Sequence, residues 1–199
     1  PENLAMTLFP EAPLPRIHPE ASVDPDATVR GNVTIAAGAR IASGARLIAE
    51  PGAHLTIGKM TIVLENAVVR ATSRQSCEIG NHCLIGPHAH VVGATIENEV
   101  FIATGASVFH GAWIEQGAEV RINAIVHLKT RLPAGVNVPI GWIAVGNPAQ
   151  LFSPDRHEDI WAIQKTLDFP GFVYGIDRTA SQPMQAITAT MSARLTPST

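Results

Sequence analysis

An aliphatic residue returns at every sixth position along most of this sequence, and few folds accept that spacing. Val23, Val29, Ile35, Ile41 and Leu47 make a first run. Ile57, Val63 and Val69 make a second after a slip in phase near Pro51-Gly52, and Ile79, Ile85 and Val91 make a third. One five-residue step leads to Ile96, and Ile102, Val108, Ile114, Val120, Val126, Leu132 and Val138 then keep the count. A small residue stands two places before most of them, as at Ala21, Ala39, Ala67, Cys77, Cys83, Ala89 and Ala106. Residues two apart on a strand face the same way. Each hexad therefore turns one large and one small side chain inward, which suits an interior of narrow cross-section. The Gly, Asn, Asp, Glu and Pro between the columns suit corners.

Three hexads close a triangular coil of roughly 18 residues, and coils stack at the strand spacing of about 4.8 Å. Helices would repeat at 3.6 residues, and amphipathic strands would be separated by irregular turns. A sandwich of short strands is the alternative that such a pattern leaves. The repeat predicts an all-β solenoid, a parallel β-helix over 15–141. The segment from Trp142 to Ala149 closes it, and 142–177 is expected to hold a connector and a C-terminal α-helix. Pro154 and Asp155 suit a first helical turn, so the helix is expected from Asp155 to about Leu167, with Ile160, Ile163 and Leu167 on its apolar side. Asp168-Phe169-Pro170-Gly171 should stop it. Residues 178–199, rich in Ser, Thr and Ala, read as a flexible or loosely draped tail.

The net charge of -3, without a basic run, argues against nucleic acid or an anionic membrane as a partner. No apolar run reaches the ~18 residues of a membrane span. Two cysteines, Cys77 and Cys83, fit a reducing compartment without a disulfide. With no signal-like start, a cytoplasmic location is expected, unless an upstream segment has been trimmed. Val68, Val92, Phe109, Trp113 and Ile125 fall on outward positions. They are either surface scatter or a face buried against other subunits.

From about residue 15 to 167 the sequence resembles the γ-class carbonic anhydrases, within the wider group of hexapeptide-repeat proteins. Pro19-Glu20-Ala21-Ser22-Val23, Gly93-Ala94-Thr95-Ile96 and Val145-Gly146-Asn147-Pro148-Ala149 carry the likeness, together with the five-residue step from Val91 to Ile96. The resemblance implies a left-handed coil, a homotrimer, and zinc held by three histidines from two neighbouring subunits. It places those histidines at Arg70, Pro87 and Val92. An Arg and an Asp two apart, one coil earlier, have Ile48 and Glu50 as counterparts. Pro and Val cannot ligate zinc, and Arg70 would repel it, so the familiar site is not expected in its familiar form.

A displaced zinc site would draw on His88, His90 and His110 from adjacent subunits; otherwise these are corner and face histidines. Glu65 and Arg70 are candidates to hold a small anion such as bicarbonate in the intersubunit groove and to pass a proton. Their other reading is an interface salt bridge. His18, His54, His82 and His127 read as surface residues. Three functions are open: CO2 hydration at a relocated metal site, a non-catalytic trimeric scaffold or subunit, and a hexapeptide-repeat acyltransferase using His88 or His110.

Overall fold

The computed structural model describes residues 13–195 of the 199-residue chain. It is a parallel β-helix of hexapeptide repeats, as the six-residue period predicts. Short strands form three sheets of seven, seven and eight strands, A, B and C in the order the chain visits them, starting at Arg16–Ile17, Ser22–Val23 and Thr28–Arg30. Every neighbouring pair is parallel except the last, where Gln150–Phe152 returns antiparallel beside Ile143–Val145. Each coil donates backbone N–H groups to carbonyls of the next, as from Ser22 to Ala39 at 2.9 Å.

Both inward columns of the repeat are buried. The large one includes Ile35, Leu47, Ile85, Ile102 and Leu132, and the small one Ala45, Ala67, Ala89, Ala106 and Ala124. Cys77 and Cys83 take small-column places as free thiols, and burial pushes the Cys77 thiol up to about 12. Thr61 is buried without cost, because its hydroxyl donates to the Gly80 carbonyl at 2.7 Å and accepts the Cys83 N–H at 3.0 Å.

All three breaks in the repeat lie at one corner, where sheet C hands over to sheet A. Leu47 to Ile57 and Val69 to Ile79 are long steps, and Val91 to Ile96 is the short one. At the long steps the sheet C strands grow to four residues, Arg46–Ala49 and Val68–Ala71, and project past the corner. The short step then pulls the next coil in at Gly93, whose φ is +55°. A Cβ there would meet the Gln75 Cβ at 2.7 Å and the His110 ring at 3.4 Å. A shelf and a recess result on that edge alone.

The β-helix runs slightly past 141, since Ile143 and Ala144 pair with Ile125 and Val126 as a last rung of sheet C. The following helix, α1, is shorter than expected, at His157–Gln164. Pro154 and Asp155 form a turn before it, Arg156 stands outside helical geometry, and the Thr166 hydroxyl takes the Ile163 carbonyl at its end. The helix has thus ended before the expected stop at Asp168, whose φ is +47°. Pro170–Tyr174 then winds a π-helical turn instead of a loop.

The tail needs a correction. Pro183–Leu195 is a second helix, α2, with Ile187 buried, packed against the turn at 170–174; residues 196–199 lie outside the described part. Its period is faint because Ile187 and Met191, four apart, are the apolar side chains lying over the rest of the chain among Thr, Ala and Ser. Among the described residues no helix is long and apolar enough to cross a membrane.

Candidate functional site

The recess at the irregular corner is a cavity of about 340 Å³. Glu50, Arg70 and Thr72 come from the projecting shelf, His90 and Val92 from the next coil, and Phe109 and His110 from the coil after that. Phe169, Val173, Tyr174 and Met191 close it from the C-terminal segment. The roof is pinned to the β-helix. Arg74 Nε and Gln75 Nε2 both donate to the Phe172 carbonyl at 3.1 Å, and the Lys129 ammonium sits 4.1 Å from the centre of the Phe172 ring. Phe169 and Tyr174 meet edge to face at 5.5 Å.

Arg70 and Glu50 are an ion pair. Arg70 donates from Nε at 3.1 Å and from Nη2 at 2.8 Å to the same Glu50 oxygen, while the other oxygen accepts the Ser73 N–H at 3.0 Å. The Glu50 side chain is 11% exposed and that of Arg70 26%. Within one subunit Arg70 therefore pairs with Glu50 and not with Glu65. Glu65 lies at the corner before the strand Val68–Ala71 and Arg70 lies within that strand toward the opposite corner, whereas Glu50 extends the strand neighbouring that of Arg70.

The three candidate histidines divide in the same way. His88 sits with Glu65 at the corner between sheets B and C, exposed, its N–H donating to the Glu65 carbonyl at 3.0 Å. His90 and His110 both line the cavity. Burial, then the charge of Arg70, lowers the His90 pKa. Burial first and His90 second bring His110 down to about 4 against a smaller upward pull from Glu50. Both rings are held neutral near pH 7, and among the described residues His110 Nδ1 is buried with no hydrogen-bond partner. Among the described residues of one subunit, no three His, Cys, Asp or Glu side chains converge as a metal site.

Sequence reasoning missed two parts of this site and one residue behind it. Glu50 was legible only as a counterpart position, not as the partner of Arg70. The roof was invisible, because its residues follow the helix stop. His127, taken for a surface residue, is half-buried against Phe109 at 6.5 Å, and its Nδ1 also lacks a partner. Of the outward apolar residues, Val92 and Phe109 are covered by the chain's own C-terminal segment. Trp113, 45% exposed, donates its indole N–H to Glu97 at 2.8 Å beneath the Arg131 guanidinium.

No family model matches the sequence. Over 118 residues it is 32% identical to gamma carbonic anhydrase 1, mitochondrial, of Arabidopsis thaliana, covering 56% of this chain and 41% of that protein. Over that stretch the chain is similar in sequence to a γ-class carbonic anhydrase. Gamma carbonic anhydrase 2, mitochondrial, of the same plant is 27% identical over 119 residues, covering 57% of this chain and 41% of that protein. The aligned part is thus about two fifths of each curated γ-class relative. Among solved structures, the UDP-N-acetylglucosamine acyltransferase of Francisella novicida matches with a TM-score of 0.51 at 16% identity, covering 89% of this chain and 86% of that one. That likeness is one of fold.

The γ-class resemblance puts its histidines at Arg70, Val92 and Pro87. Arg70 and Val92 are register partners in adjacent strands of sheet C and share the cavity. Pro87 lies beside His88 at the other corner. A zinc site needs three nitrogen, sulfur or oxygen ligands and an open position. A guanidinium, a proline ring and an isopropyl group supply none of these, so the residues present do not fit the ion at those positions.

Proposed function

We propose that this chain is a trimeric γ-carbonic-anhydrase-like subunit that does not hydrate CO2 through the family's zinc site, and whose former metal pocket binds a small anion such as bicarbonate through Arg70. One observation carries the reading: the Arg70 guanidinium stands at a ligand position, fixed by Glu50 inside a partly buried cavity. Glu50 offsets much of the guanidinium's charge, but a guanidinium cannot ligate a cation, and the edge it does not spend on Glu50 offers charge-assisted donors to an anion. Loss of the metal removes the agent that makes hydroxide from water near neutral pH. Protein purified without a histidine tag is expected to carry under about 0.1 zinc, iron or cobalt per subunit and to leave CO2 hydration at the uncatalysed rate.

A second reading is favoured by His90 and His110, two neutral imidazoles lining one cavity, which is the protonation state a metal ligand needs. With His88 from a neighbouring subunit they would make a displaced zinc site. It requires about one metal per subunit, lost when His90 or His110 is replaced by Ala. The acyltransferase alternative rests on fold alone, and a rise in melting temperature with acetyl-CoA would favour it.

A further inference from the structure

We infer that the cavity is a binding site for a small monocarboxylate with an apolar body, of about the size of benzoate, with its carboxylate on Arg70. The inference rests on Arg70, and not a metal, occupying the zinc position. Size sets the first limit. At about 340 Å³ the cavity is at the small end of ligand pockets, which run from roughly 300 to 1,000 Å³, so it suits a small molecule and not an intact coenzyme A.

Chemistry sets the second. Away from the shelf, the walls are mostly carbon: Val92, Phe109, Phe169, Val173 and Met191. This surface matches a ring or a short alkyl chain, not bicarbonate alone. The polar groups on the shelf are rich in donors. Both Glu50 oxygens are engaged, by Arg70 and by the Ser73 N–H. Arg70 spends Nε and Nη2 on Glu50, and its Nη1 meets no acceptor among the described residues. His90 and His110, in the recess beside the shelf, each carry one N–H and one acceptor nitrogen in the neutral form, and among the described residues His110 Nδ1 is buried without a partner. The open edge of Arg70 calls for an acceptor head group, and a carboxylate gains more from a guanidinium than a neutral carbonyl does.

The test is titration of the full-length, metal-assayed protein with benzoate and, separately, with benzamide, read by calorimetry. Expected are one benzoate per subunit with a Kd of about 1 mM or tighter, and benzamide at least about ten-fold weaker. Arg70→Gln, checked for folding by its melting curve, should abolish the preference for benzoate. Arg70→Lys, which keeps the charge but not the fork, should retain part of it. No saturable binding at 10 mM (roughly ten times the expected Kd), equal affinity for benzamide, or an undiminished preference in folded Arg70→Gln overturns the inference. Metal-free protein that ignores benzoate overturns this inference alone, whereas one metal per subunit overturns the reading beneath it as well.

Discussion

At the scale of single residues, the Arg70–Glu50 pair and the two neutral histidines make separable predictions. Removing one partner strands a charge in a partly buried place. Glu50→Gln should therefore cost about 2–3 kcal/mol, while the double change Arg70→Met with Glu50→Gln should cost clearly less. Urea denaturation of the two variants measures the difference. His110 is expected to make stability depend on pH. Its pKa is about 4 in the folded chain against 6.5 as a free side chain, so between those values the unfolded chain binds the extra proton. Stability is then complete above about pH 7 and falls as pH drops from 6.5 toward 4. With part of the ring open to solvent, the loss is on the order of 1 kcal/mol. Melting curves across that range should show a smaller loss in His110→Asn than in the natural protein. The pair itself was hard to read in the sequence because Glu65 is five residues from Arg70 and Glu50 is twenty. Coil stacking makes the second distance short, and the length of the irregular coil decides which acid arrives there.

At the scale of elements, the repeat reported the β-helix faithfully, since each hexad is a local unit whose inward pair is visible in a few residues. Its three breaks were also visible. Their common corner was not, because they are a coil apart in sequence and meet only when the coils stack. The C-terminal segment was the least legible part. Its helix has two apolar side chains lying over the rest of the chain, and what holds the turn before it is a carbonyl, that of Phe172, whose acceptance of bonds from Arg74 and Gln75 leaves no mark in the sequence. Gly111 tests how that roof is held. Its φ is +71°, and a Cβ would come within 2.7 Å of the Phe172 ring. Gly111→Ala should cost about 1–2 kcal/mol and loosen the roof. Faster hydrogen exchange across 168–191, with the strands of sheet C still protected, is the expected signature. Unchanged exchange there would mean that the segment is not seated on Gly111.

At the scale of the whole molecule, the proposed function carries the expectation of a trimer, because the γ-class resemblance divides its zinc positions between two corners of the coil. On that reading the corner with Arg70 and Val92 would be one half of a shared site, and the corner with Pro87, Glu65 and His88 would supply the half for a neighbour. Light scattering on a sizing column should give three times the 21.1 kDa subunit mass, unchanged on dilution through the micromolar range (the order of magnitude at which weak contacts separate). A single-subunit mass would remove the shared groove and leave the cavity beneath the C-terminal segment as the complete site. The central claim is that an ion pair stands where the family keeps its metal. It is tested most directly by elemental analysis of untagged protein purified without chelators. The account predicts under about 0.1 transition metal per subunit; close to one per subunit, held through dialysis and lost in His90→Ala, would contradict it.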